Sequence, residues 1–98
     1  MDLTVVDNPS KSRFEARTPD EQVAGFVDYT RDDDTIVLVH TQVVGDFEGQ
    51  GVGSTLARGL FSLLHNGELT VVNACPFLRR FIHRHADEYD WVVDARDR

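Results

Sequence analysis

The stretch Thr35–Ser54, TIVLVHTQVVGDFEGQGVGS, changes its periodicity partway along, and that change decides the fold. Over Thr35–Val44 the alternation is that of a β-strand. Ile36, Leu38, His40, Gln42 and Val44 are expected on one face, and Val37, Val39, Thr41 and Val43 on the other. The first half is apolar on both faces, which predicts a central strand covered on both sides. Polar His40 and Gln42 enter in the second half, so that end is expected to meet a cleft or solvent. After the glycine-rich Gly45–Ser54 the period becomes helical. Val52, Leu56, Leu60, Leu63 and Leu64 form the apolar stripe, with Arg58 and Ser62 off it. Asn66-Gly67 closes the helix with a pair that accepts left-handed geometry.

Upstream the chain reads as strands. Leu3–Val6 is a short apolar run ended by Asp7-Asn8-Pro9-Ser10, and Arg13–Arg17 alternates as an edge or half-exposed strand does. Thr18-Pro19-Asp20-Glu21 is a turn, Val23–Tyr29 a strand, and Arg31-Asp32-Asp33-Asp34 a hairpin connection whose acidic run lacks the ligand spacing of a calcium loop. Downstream, Leu69–Val72 is a short β-branched strand. Pro76 suits a first helical position, followed by the stripe Phe77, Leu78, Phe81, Ile82 and His85. Trp91-Val92-Val93 is a candidate last strand, and Ala95–Arg98 is expected to fray. The predicted order β-β-β-β-α-β-α is an α+β fold, a mixed sheet with the helices late.

Ninety-eight residues are expected to make one domain, residues 1–98, with a modest core. Seventeen acidic residues against ten basic ones give a net charge of −7, which argues against nonspecific binding to nucleic acid or anionic membranes. The apolar runs are far too short to span a bilayer, and Met1-Asp2-Leu3-Thr4 has no leader character, so a cytoplasmic location is expected. A single cysteine, Cys75, excludes an internal disulfide framework and a thiolate-rich zinc site, and no metal is expected.

In Gly45-Asp46-Phe47-Glu48-Gly49-Gln50-Gly51-Val52-Gly53-Ser54, glycines at alternate positions remove Cβ atoms where successive amides converge at a helix N-terminus. That is an anion site, most simply for a phosphate or pyrophosphate; the bland reading is a turn that merely starts a helix. No Lys-Ser or Lys-Thr follows, so it is not a Walker loop, and the dinucleotide fingerprint spacing is absent.

His40-Thr41-Gln42-Val43-Val44, Phe47 to Ser54 with Leu56, Cys75-Pro76-Phe77, Phe81-Ile82 and His85 together resemble the small, single-domain GCN5-related N-acetyltransferases, the YjdJ-like minimal group. The resemblance covers about half the chain. It implies that acetyl-CoA is the cofactor, with pantetheine inserted as a pseudo-strand where the central strand splays from its neighbour. It implies that Val43 and Val44 supply backbone partners to pantetheine. Gly49, Gln50, Gly51, Val52, Gly53 and Ser54 would cradle the pyrophosphate. A backbone amide near Thr41–Val43 would polarise the thioester carbonyl. Two positions depart from the family. Glu48 stands where Arg or Gln is usual, and Phe81 stands where Tyr is common, which leaves no phenolic proton donor there.

Cys75 precedes Pro76 at a helix start, a setting that favours thiolate. It reads either as a group beside the thioester, serving as acetyl relay or as acid to the departing thiolate, or as a small buried hydrophobe. His40 is the candidate base for an incoming amine, or a histidine bonded into a partly polar strand face. His83 and His85 diverge on a helix, and His65 suits a helix C-terminus. Arg79 and Arg80 lie either on a solvated face or within reach of a nucleotide phosphate. The reading is an acetyl-CoA-dependent N-acetyltransferase acting on a small-molecule or protein amine by direct attack, as a monomer or weak homodimer. The other class is a noncatalytic coenzyme A or acyl-CoA binding module.

Overall fold

Turn chemistry folds the N-terminal half into a four-stranded meander. In the computed structural model, which describes residues 2–97, β1 (Thr4–Asn8), β2 (Arg13–Arg17), β3 (Val23–Asp32) and β4 (Thr35–Val43) pair successively antiparallel. The Thr18-Pro19-Asp20-Glu21 turn is closed by Glu21 N–H donating to the Thr18 carbonyl at 2.9 Å and Thr18 N–H donating to the Gln22 carbonyl at 2.9 Å. Only Asp33-Asp34 separates β3 from β4, and Asp33 takes φ 50°, a left-handed value that aspartate tolerates.

α1 (Val52–His65), β5 (Thr70–Asn73), α2 (Pro76–Arg84) and the short β6 (Val93–Asp94) complete a six-stranded sheet in the order β1-β2-β3-β4-β5-β6. β4, β5 and β6 run parallel. The fold is therefore α+β, with a mainly antiparallel mixed sheet and two helices. Both crossovers step the same way along the sheet, so right-handed connections put both helices on one face. Aromatic contacts join them: the Phe61 ring of α1 lies 6.4 Å from Phe81 of α2 and 4.9 Å from Tyr89.

The helix stripe is broader than the leucine spacing predicts. α1 buries Val52, Gly53, Leu56, Ala57, Leu60, Phe61 and Leu64, while Leu63 is 51% exposed. α1 packs on the sheet with α2 alongside it, so its apolar arc turns toward Phe61 and away from Leu63. At its end Asn66 has φ −89° rather than a left-handed value; Gly67 N–H donates to the Leu64 carbonyl and closes the last turn.

β2 is not an edge. It lies between β1 and β3, with Phe14 and Ala16 in the helix-side core and Glu15 facing the other side, only 2% exposed. Arg13 Nε (2.7 Å), Arg17 Nη2 (2.7 Å) and Asn8 Nδ2 (3.2 Å) donate to its carboxylate. Burial pushes this carboxyl up, but the hydrogen bonds from Arg13, Arg17 and Asn8 outweigh burial and hold it at about 2. The expected fraying of the tail is also overturned for the described residues. Asp94 accepts the Arg96 N–H at 2.9 Å, and Ala95–Asp97 winds into a 3-10 turn; Arg98 lies outside the described residues. No helix among the described residues is long and apolar enough to cross a membrane.

Candidate active site

Strand β4 has two different halves. Thr35 to Leu38 pair with β3 on one edge and with β5 on the other, the last β5 partner being Asn73. Ala74 N–H still donates to the Leu38 carbonyl at 2.8 Å; beyond that, β4 continues to Val43 with β3 alone. One long edge of Val39–Val43 therefore faces no strand.

A β-bulge marks the division. Tyr29 pairs with Leu38 and Asp28 with His40, which leaves Val39 unpaired and 43% exposed. The bulge overturns the face assignment that simple alternation predicts. Val27 and Tyr29 share the helix-side face of β3, and they sit opposite Thr41 and Leu38. Thr41 and Val43 thus join Leu38 on the helix side, while His40 and Gln42 turn to the helix-free side. The expected covering on both sides is overturned too: with both helices on one face, Ile36 and Leu38 are buried beneath them, while Val37 on the other face is only half-buried.

The two candidate catalytic residues lie on opposite faces. Cys75 is the N-cap residue of α2 and is buried, and its Sγ lies 3.2 Å from Thr41 Oγ1. Asn73, itself buried, clamps the cysteine backbone: its Nδ2 donates to the Cys75 carbonyl, and its Oδ1 accepts the Cys75 N–H, each at 3.1 Å. His40 is exposed on the helix-free face, directly across from Asp28. Nothing in the spacing of the sequence could place them relative to each other, because a bulge leaves no compositional mark.

The glycine loop borders the unpaired edge of β4. A concavity of about 230 Å³ brings together Val43, Gly49, Gly51, Val52, Gly53 and Ser54, and adds Glu48 and Phe77. Gly49 and Gly51 have φ of 79° and 75°, values that side chains rarely adopt. Gly53 serves packing instead: a Cβ there would come within 2.5 Å of Phe77 Cζ. Val52 is buried with its side chain against Gly25, so only its backbone reaches the loop surface. The first bond of α1 is Thr55 N–H to the Gly51 carbonyl at 3.1 Å, and no side chain caps the helix. The amides of Val52, Gly53 and Ser54 precede that bond and are free to meet an acceptor.

Two predicted residues stand apart from the concavity. Gln50 is exposed, its Nε2 donating to the Asp46 carbonyl at 3.4 Å. Val44 N–H donates to the Ala24 carbonyl at 2.9 Å, and its own carbonyl accepts the Phe47 N–H at 2.8 Å. Since successive amides along extended backbone point to opposite edges, the Val43 amide points toward the open edge. Phe77 reads from sequence as helix stripe and as part of Cys75-Pro76-Phe77, neither of which places it at the loop; its ring against the helical Gly53 is what links it there. Phe81 is buried among Phe61, His85 and Tyr89 and offers the cleft no polar group.

A family model described as GCN5-related N-acetyl-transferase matches residues 13–92, a span that takes in β2 through Val92 and the whole of the concavity. No curated protein matches this chain.

Proposed function

The chain belongs to the GCN5-related N-acetyltransferase family, and from that premise we propose that it is an acetyl-CoA-dependent N-acetyltransferase of the minimal, YjdJ-like kind. The observation that carries the reading is the unpaired edge of β4 ending beside a loop of left-handed glycines. An extended, amide-bearing chain can pair with such an edge as a strand would, and free helix-start amides suit a pyrophosphate. The residues present fit acetyl-CoA on both counts. Glu48 is the exception, because a carboxylate at the rim of an anion site opposes the ligand.

Acetyl-CoA supplies the acetyl group as an activated thioester. Val43 offers its open-edge amide to the pantetheine, and Gly49 and Gly51–Ser54 hold the pyrophosphate by backbone amides. On the helix side, Cys75, touching Thr41, would serve as the acid to the coenzyme thiol that leaves. On the opposite side, His40 accepts the proton that the attacking amine gives up. Positioning and a fixed backbone donor for the developing oxyanion supply much of the rate. The acceptor is a small-molecule or protein amine, and it approaches the helix-free face, where His40 is exposed.

Calorimetric titration with acetyl-CoA tests the reading, followed by a thiol-release assay across a panel of amines. Binding with amine-dependent thiol release is the expected result. Binding without turnover leaves a coenzyme A or acyl-CoA binding module, and absence of binding overturns both. Intact-mass measurement after acetyl-CoA exposure separates the roles of Cys75: a proton donor leaves the mass unchanged, while an acetyl relay adds one acetyl group that Cys75→Ala loses.

A further inference from the structure

Four of the chain's ten basic residues converge on one cleft, although the chain carries a net charge of −7. The cleft, about 390 Å³, lies along α2 and the C-terminal 3-10 turn and is lined by Arg79, Arg80, His83, Arg84 and Arg96. Two of the guanidiniums are fixed from behind. Arg79 makes a two-point contact with Asp94 at 2.9 and 3.3 Å, and Arg96 makes another with the same carboxylate at 3.0 and 3.3 Å. Asp94 is held well below the usual carboxylate range by its hydrogen bonds from Arg96 and Arg79, so it stays ionised as their common anchor.

Arg80 and Arg84 are different. Both are exposed, they sit one turn apart on the same helix face, and among the described residues neither has a carboxylate within 4.0 Å. Like charges at that spacing oppose the helix they stand on. A chain with seventeen acidic residues has ample means to neutralise them and does not. The arrangement gathers two guanidiniums anchored on Asp94, two without a carboxylate partner among the described residues and a histidine around one volume. The geometry points to a second anion site in this cleft, one that takes a phosphate monoester. Planar guanidiniums match the tetrahedral, multiply charged oxygens of that group better than a single carboxylate does.

The cleft is separate from the glycine loop but adjacent to it. Phe77, which lines the loop concavity, precedes Arg80 and Arg84 along the same face of α2, so Arg84 is about 10 Å farther along the helix. The monoester therefore has two possible sources: the 3′-phosphate of a coenzyme A held at the loop, or an independent phosphorylated ligand. Only the first source rests on the functional reading above.

The test titrates the full chain and its Arg80→Ser/Arg84→Ser variant with coenzyme A, dephospho-coenzyme A and adenosine 3′,5′-bisphosphate. Both arginines are exposed, so the variant should fold and melt within a few degrees of the parent. If the coenzyme supplies the monoester, the parent prefers coenzyme A to its dephospho form by about tenfold, and the variant loses that preference. If the ligand is independent, the parent binds the two forms alike. It then binds the bisphosphate in the presence of saturating dephospho-coenzyme A, and the variant does not. The bisphosphate arm decides the matter even if no coenzyme binds at all. Unchanged bisphosphate affinity together with an unchanged preference in the variant overturns the proposal.

Discussion

The two halves of β4 are one continuous strand in two environments. Thr35–Leu38 is paired on both edges, and Ile36 and Leu38 are buried in the core beneath the helices. Val39–Val43 is paired on one edge only, its first residue is a bulge, and its exposed positions include His40 and Gln42. The first half has its hydrogen bonds and apolar contacts completed within the chain. The second keeps backbone groups open on one side, a cost that a fold carries where a ligand will complete them. A strand becomes a site here through loss of a neighbour, with little change in its own composition.

The largest expected effect tests the closed half. Leu38→Ala removes a fully buried side chain from the last doubly paired position and should cost about 2–5 kcal/mol in urea unfolding. A loss below about 1 kcal/mol would mean that the helix-side core closes around the missing side chain.

Glu15, on the helix-free face of β2, extends the contrast to pH. Its folded-state pKa is depressed from 4.5 to about 2, so its stabilisation is fully present above pH 4.5 and disappears as pH falls through about 2. The stake is at most about 3 kcal/mol, and solvent reaching the partly exposed Arg13 and Arg17 lowers it. Acid titration of unfolding free energy should show this loss in the parent and not in Glu15→Gln. The same acid loss in both proteins would place the stabilising carboxylate elsewhere.

The open half should respond in binding more than in stability. Gly51→Asp puts a carboxylate at a left-handed position with open space around its Cβ. It should weaken acetyl-CoA by at least about a hundredfold while costing about 1–2 kcal/mol of stability. Equal loss of both would indicate that the loop is structural. Glu48→Gln, at the rim of the same concavity, should tighten acetyl-CoA by roughly three- to tenfold at low salt, with the gain shrinking as salt rises. Val39→Thr should do least, within about 0.5 kcal/mol, because the bulged residue is already exposed. A large loss there would mean that the bulge packs more tightly than its exposure indicates.

Much of this was legible in the chain itself. Element order followed from period two giving way to a helical period, and the turns followed from Thr18-Pro19-Asp20-Glu21 and Arg31-Asp32-Asp33-Asp34, although β3 runs on to Asp32 and leaves only Asp33-Asp34 as the connection. Gly49 and Gly51 bend the backbone at left-handed φ, whereas Gly53, in the same concavity, also makes room for Phe77. Its reason lies twenty-four residues away, and no local pattern carries it. The leucine spacing overvalued Leu63 and undervalued Phe61 for the same cause: which arc of a helix is buried depends on what packs against it.

The sequence by itself determined the local preferences of this protein: which segments extend, which coil, where glycine must bend the backbone, and which residues carry usable chemistry. Tertiary structure alone decided how those pieces face each other. The Val39 bulge shifts side-chain parity by one, placing Thr41 beside Cys75 and sending His40 to the other face. The departure of β5 after Asn73 leaves Val43 an open edge, and the surrounding strands bury Glu15 under its own arginines. Periodicity reports the spacing of neighbours along a chain, whereas a bulge, a splayed strand pair and a buried carboxylate depend on partners far apart in sequence.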